Sequence, residues 1–205
     1  MKYLVEQSGL PIIQSYPKKL QPGDDYDEFC RLDEIRQNIT EFVDYGGSLY
    51  IASANTGNGK TSWAVKLLMK YFNDIWAGNG FRRRGMFVHV PTALMKLKDF
   101  NGTDIQEYRE SLINTELVVF DEIGDSRFTE YDEMTLLSVI DARLMQGKSN
   151  IYTSNQPTMH NLESVIGVRI ASRIFNTSEL VVLKGKDRRH GTTATDKQNY
   201  SEQRC

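Results

Sequence analysis

Hydrophobic positions along this chain form two patterns that take turns. Short apolar runs without polar alternation occupy 49–53, 86–90, 117–120, 150–153 and 180–183. Between them apolar residues recur three and four positions apart: Phe29, Leu32, Ile35, Ile39, Phe42 and Val43 before the first run, then Trp63, Ala64, Leu67, Leu68 and Tyr71 after it. The unbroken runs predict strands buried on both faces, and the spacing of three and four predicts helices packed against them. Later helices are expected from Thr92, as a cap, through Leu97, over about 103–113, over about 131–145 up to Gly147, and across the helical signals of 158–176. The alternation predicts an α/β fold, a five-stranded parallel sheet between helices.

The ends of the chain read differently. Residues 1–28 hold three of the five prolines (Pro11, Pro17, Pro22), with Gly9, Gly23 and the acidic run Asp24, Asp25, Asp27, Glu28, and predict an extended, turn-rich lead-in. The expected organisation is a lead-in and helix over 1–45, one core over 46–190, and a polar tail over 191–205 expected to be disordered. Formal net charge is -2, from 25 basic and 27 acidic residues, so nucleic-acid binding would need a local basic patch. Cys30 and Cys205, 175 positions apart, fit neither a disulfide framework nor zinc and suit a reducing compartment. His89, His160 and His190 lack metal-ligand spacing. With no signal-peptide core and no apolar run of membrane-spanning length, a cytoplasmic location is expected.

One strand-to-helix junction is chemically distinctive. Run 49–53 enters Ala54-Asn55-Thr56-Gly57-Asn58-Gly59-Lys60-Thr61, which opens the helix bearing Trp63. This is the G-x-x-x-x-G-K-[ST] phosphate loop with Ala54 in place of its first glycine, at a strand end where the methyl group is expected to be tolerated. Gly57 and Gly59 permit backbone turns that aim consecutive N–H groups over Asn55–Thr61 at a phosphate, and the helix start adds its dipole. Lys60 is expected to reach the β- and γ-phosphates, and the Thr61 hydroxyl to hold Mg²⁺. The strand–loop–helix setting separates this reading from a plain glycine turn with a coincidental lysine.

Ligands in such sheets bind beyond the carboxyl ends of the strands, which brings Asp121 and Glu122, closing run 117–120, toward the same crevice. Asp121 is assigned to Mg²⁺, through water, and Glu122 to polarising an attacking water. Asn155 ends the next run, where its amide would position water or touch the γ-phosphate; a turn before Gln156-Pro157 is the plainer reading. Arg169 and Arg173, four residues apart, share one helix face. They are either solvated surface or an arginine finger that completes a neighbouring subunit's site, which implies assembly.

In this order the pieces resemble the AAA+ domain of DnaC/DnaI-type helicase loaders, a group that also contains the transposition ATPase IstB. The resemblance spans roughly 9–190: residues 54–61 as Walker A, 117–122 as Walker B, Thr153-Ser154-Asn155 as sensor 1, and Arg169 with Ser172-Arg173-Ile174 as the arginine-finger box. Asp141-Ala142-Arg143 and residues 185–189 also resemble family patterns. The resemblance implies ATP and Mg²⁺ as cofactors, slow and assembly-dependent ATP hydrolysis, and self-association with Arg173 acting in trans, Arg169 being a second candidate. It implies loading or remodelling of a DnaB-type replicative helicase on single-stranded DNA; a compact chain of this type would suit a phage or prophage replication module. An IstB-like transposition helper and a non-hydrolysing, nucleotide-gated regulator are the alternatives. The paired acids, Asn155 and the arginines favour water activation over a small-molecule kinase. Two departures stand out. The lead-in is too short for the amino-terminal helicase-binding domain usual in loaders, so 1–45 become the candidate partner contact, and no separate helical lid is expected after Leu183. Candidate DNA contacts are Arg82, Arg83 and Arg84, Lys96 and Lys98, and Arg188 and Arg189; Lys96 and Lys98 are favoured because loaders use helices after the second strand.

Overall fold

The computed structural model describes residues 8–10, 22–75, 84–98 and 103–187. The expectations attached to Arg82, Arg83, Arg188, Arg189, Cys205 and the tail 191–205 fall outside these residues. After a 3-10 turn at Gly23–Asp25, α1 (Tyr26–Gln37) and α2 (Ile39–Asp44) precede β1 (Ser48–Ala52). The phosphate loop leads into α3 (Lys60–Ile75), then β2 (Gly85–His89), α4 (Val90–Lys98), α5 (Thr103–Asn114) and β3 (Leu117–Asp121). There follow α6 (Glu130–Met145), β4 (Ser149–Ser154), α7 (Met159–Ile166), α8 (Val168–Thr177) and β5 (Glu179–Val182).

The five strands pair in parallel in the order β2-β3-β4-β1-β5. Successive side chains of a strand point to opposite faces, so each buried strand serves two layers. Leu49, Ile51, Val119 and Ile151 pack with α1, α2 and α3, whereas Tyr50, Val118, Phe120 and Tyr152 pack with the buried sides of α4 to α8. That division explains why the strands carry no polar alternation. Residues 8–10 lie against β2, where the Phe87 N–H donates to the Ser8 carbonyl at 2.6 Å and Leu10 is buried.

Three helix expectations change. The helix read through Phe29 to Val43 is two helices, because the Asn38 amide donates to the Glu34 carbonyl at 3.1 Å and Asn38 leaves helical geometry at φ -107°. Its apolar stripe continues across the break, since every residue of the stripe is buried. The helical signals of 158–176 divide at Gly167, which takes φ +88° with the Glu133 carboxylate where a side chain would be. Thr92 does not cap its helix, which starts at Val90 with Pro91 in the first turn; the Thr92 hydroxyl instead meets His89 Nδ1 at 2.7 Å.

Parallel pairing stacks the carboxyl ends of the strands at one end of the sheet. His89 is level with Asp121, and Ala52 with Ser154. The amino-terminal end is pinned by Arg143, fully buried on α6, which donates to the carbonyls of Leu112 (2.6 Å), Thr115 (2.8 Å) and Ser149 (2.6 Å) and to the Asn150 side chain (2.6 Å).

Candidate nucleotide-binding site

The loop after β1 has the backbone that its glycines predict, with Gly57 at φ +69° and Gly59 at φ +107°. It is stiffened from within. The Asn55 N–H donates to Ser53 Oγ at 3.1 Å, and the buried Asn58 amide donates to the same hydroxyl. Lys60 Nζ reaches back across the loop to the Asn55 carbonyl at 2.8 Å. The ammonium is therefore held on the loop that its charge is suited to serve.

Thr61, in the first turn of α3, meets Asp121 across the strand ends. Its hydroxyl donates to Asp121 Oδ1 at 2.9 Å, and the Thr153 hydroxyl donates to the same oxygen at 2.6 Å. Burial pushes the Asp121 carboxyl above the usual carboxylate range, an effect opposed by these two hydroxyls. Thr153 Oγ1 also accepts from the Glu122 N–H at 3.0 Å. Among the described residues, Glu122 alone takes positive φ without being glycine, at 60°. This sparsely populated geometry is held in place by Thr153 and characterises functional turns.

The Glu122 carboxylate turns toward β2. His89 Nε2 lies 2.9 Å from Glu122 Oε2, while His89 Nδ1 contacts Thr92. A neutral ring protonated on Nε2 satisfies both contacts, donating to Glu122 and accepting from the Thr92 hydroxyl. The oxygen pair Thr61 and Asp121 suits Mg²⁺, a hard cation bound by few protein oxygens together with substrate phosphates and water. Among the described residues no group of three or more His, Cys, Asp or Glu side chains could hold a metal by itself.

The other predicted residues are placed as follows. Asn155, at the end of β4, donates its amide to Asp125 Oδ1 at 3.1 Å, and Thr153 rather than Asn155 touches Asp121. Arg169 and Arg173 are exposed on α8, and Arg173 Nε donates to Asp141 Oδ1 of the same chain at 2.8 Å. Lys98 pairs with Asp132 at 2.8 Å, and Lys96 Nζ lies 5.5 Å from the Tyr108 ring centre. Arg84 pairs with Glu116 just ahead of β2 and β3, at the end of the sheet away from the P-loop. The contact of His89 with Glu122 is not visible in the sequence, because its only signal, a polar residue near the end of an apolar run, acquires meaning once β2 is known to flank β3. Among the described residues no helix is long and apolar enough to cross a membrane.

Neither a protein-family model nor a curated protein matches this sequence. Its structure is similar to solved ones. Against the DnaC helicase loader the TM-score is 0.67 at 21% identity, over 89% of this chain and 99% of that one. DnaI gives 0.61 at 16% identity, over 89% and 93%. The replication initiator DnaA bound to AMPPCP and single-stranded DNA gives 0.59 at 16% identity, over 90% of this chain and 50% of that one. At these identities the likeness establishes the fold alone, a five-stranded parallel sheet between helices shared with these replication proteins.

Proposed function

We propose that this chain is an ATP-binding AAA+ replication protein that loads or remodels a DnaB-type replicative helicase on single-stranded DNA. Its ATP hydrolysis is slow and depends on assembly. The observation that carries the reading is the convergence of Thr61, Asp121, Thr153 and Glu122 beside a glycine-shaped phosphate loop. The same fold extends over 99% of the DnaC helicase loader, which supports the finer assignment.

On this reading the loop N–H groups and Lys60 bind the β- and γ-phosphates, and Thr61 with Asp121 holds Mg²⁺. When bound, Mg²⁺ neutralises charge developing on the phosphate oxygens. Glu122 orients the attacking water and accepts its proton, while Thr153 keeps both acids in register. Arg173 of a neighbouring copy supplies transition-state charge, with Arg169 as a second cation. Lys96, with Tyr108 beside it, offers the contact to single-stranded DNA, since Lys98 is already ion-paired.

The test is co-purification with the replicative helicase of the same host or phage, in ATP, in ADP and without nucleotide, for wild type and Lys60→Ala. A complex that responds to nucleotide in wild type and not in Lys60→Ala is expected. No helicase complex in any state, with a transposase captured instead, overturns the loader assignment in favour of a transposition helper.

A further inference from the structure

The chain returns to the phosphate loop after β5. The Leu183 N–H donates to the Ala52 carbonyl at 2.8 Å, which carries the chain past the end of β1. The Asn55 amide then donates to the carbonyls of Lys184 and Gly185 at 3.1 and 3.2 Å, and the buried Asn58 amide reaches the Leu183 carbonyl at 3.5 Å. Opposite them Asp25, fully buried, accepts from the N–H groups of Lys184 at 2.6 Å and Gly185 at 3.0 Å. Two asparagines of the phosphate loop and a carboxylate from the lead-in thus clamp one short strap.

The strap ends with an acid against the loop. A Cβ placed on Gly57 would lie 1.9 Å from Asp187 Oδ1 and 2.7 Å from Oδ2. The carboxylate therefore rests directly on a loop whose positive-φ glycines shape it for anions. A nucleotide polyphosphate entering the same loop meets a like charge at close range, and like charges in contact repel.

We propose that the strap 183–187 is an autoinhibitory latch in which Asp187 occupies the lip of the phosphate loop as a substitute anion and must be displaced by nucleotide phosphate. The proposal rests on the loop being a nucleotide site. A protein whose competent state is only part of its population binds with an apparent Kd raised by the inverse of that fraction. Removing the charge of Asp187 lifts this penalty. Asn55 and Asn58 give the latch its second effect, because moving the strap releases side chains of the loop itself and carries the bound state to Asp25 and α1.

The experiment is a titration of the full chain with ATP and with ADP, in Mg²⁺, for wild type, Asp187→Asn and Asp187→Ala. Thermal denaturation of each variant checks that it is folded. Asp187→Asn is expected to bind both nucleotides about fivefold more tightly, with the gap narrowing at high salt as the repulsion is screened. Equal affinity overturns the latch, and weaker affinity overturns it in favour of Asp187 as a hydrogen-bond acceptor for the nucleotide. ATP binding by neither wild type nor variant removes the nucleotide reading itself. Binding by wild type without a gain in Asp187→Asn removes the latch alone.

Discussion

Asp121 combines two demands that conflict. A buried carboxylate is costly to ionise, and its raised pKa records that cost, yet in its proposed role as a Mg²⁺ ligand Asp121 must be charged. The folded state therefore holds the Asp121 proton more tightly than the unfolded chain does. The contribution of this group to stability is fully present below the unfolded pKa and is lost as pH rises through the folded pKa, above which the ionised, buried side chain is a liability without a cation. Asp121→Asn is accordingly expected to raise the melting temperature of the nucleotide-free protein at pH 7 while abolishing any Mg²⁺ dependence of ATP binding, both measurable in one thermal-shift series. His89 sets a second conflict. It draws Glu122 toward β2, which β3 and β4 separate from β1, the strand that feeds the glycine-bearing loop. A carboxylate engaged there is turned from the water it would activate. His89→Ala is expected to raise the ATPase rate of the unassembled protein several-fold; a fall of similar size in steady-state turnover would instead make His89 a support for catalysis. The Asp-Glu pair was legible as residues, from its place after an apolar run. His89 was not, because it belongs to another strand and only the register joins it to the pair; Thr153 was legible within the sensor 1 resemblance, but its bonds to Asp121 and Glu122 were not.

At the scale of elements, what the sequence conveyed was burial and what it concealed was interruption. Phe29 to Val43 keeps its apolar spacing through Asn38, so the stripe reads as one helix although a side-chain amide ends it. Gly167 breaks the next such stripe by positive φ, a property of one backbone position that averages out in any periodicity. Arg143 shows the same limit from another side. Its residue type suggests surface, whereas the structure buries it completely as a fastener between the ends of α5, α6 and β4. No carboxylate shares those hydrogen bonds; the acceptors are carbonyl and amide oxygens, each of which loses a charged donor if the guanidinium is removed. An orphaned buried acceptor costs about 1–3 kcal/mol, so the loss of several is comparable to much of a domain's stability. Arg143→Ala is expected to unfold the protein or lower its urea midpoint sharply, and Arg143→Lys to recover little, because one ammonium cannot reproduce the planar fork. Full stability in Arg143→Ala would show that water replaces the guanidinium.

For the whole molecule, the parallel α/β architecture followed from the strand runs and their intervening helices, and strand order followed from pairing that no local pattern encodes. The proposed role of Arg173 as an arginine finger concerns two molecules. Within one chain Arg173 is tied to Asp141, with side chains 56% and 37% exposed. An ion pair so open to solvent contributes about 0–1 kcal/mol before screening, so giving it up for a neighbour's phosphate is a small cost. A cation acting in trans makes a prediction that a cation acting in its own site does not. Lys60→Ala lacks a working loop and keeps its finger, while Arg173→Ala keeps the loop and lacks the finger. Each alone is expected to be nearly inactive as an ATPase. Mixed in equal amounts, half the sites retain a loop and half the neighbours retain a finger, so about one quarter of the wild-type rate returns if fingers act across the interface. Recovery should grow with total protein concentration, since assembly precedes it. No recovery in the mixture would confine Arg173 to its own subunit, and an undiminished rate in Arg173→Ala alone would leave Arg169 as the cation to test in the same design.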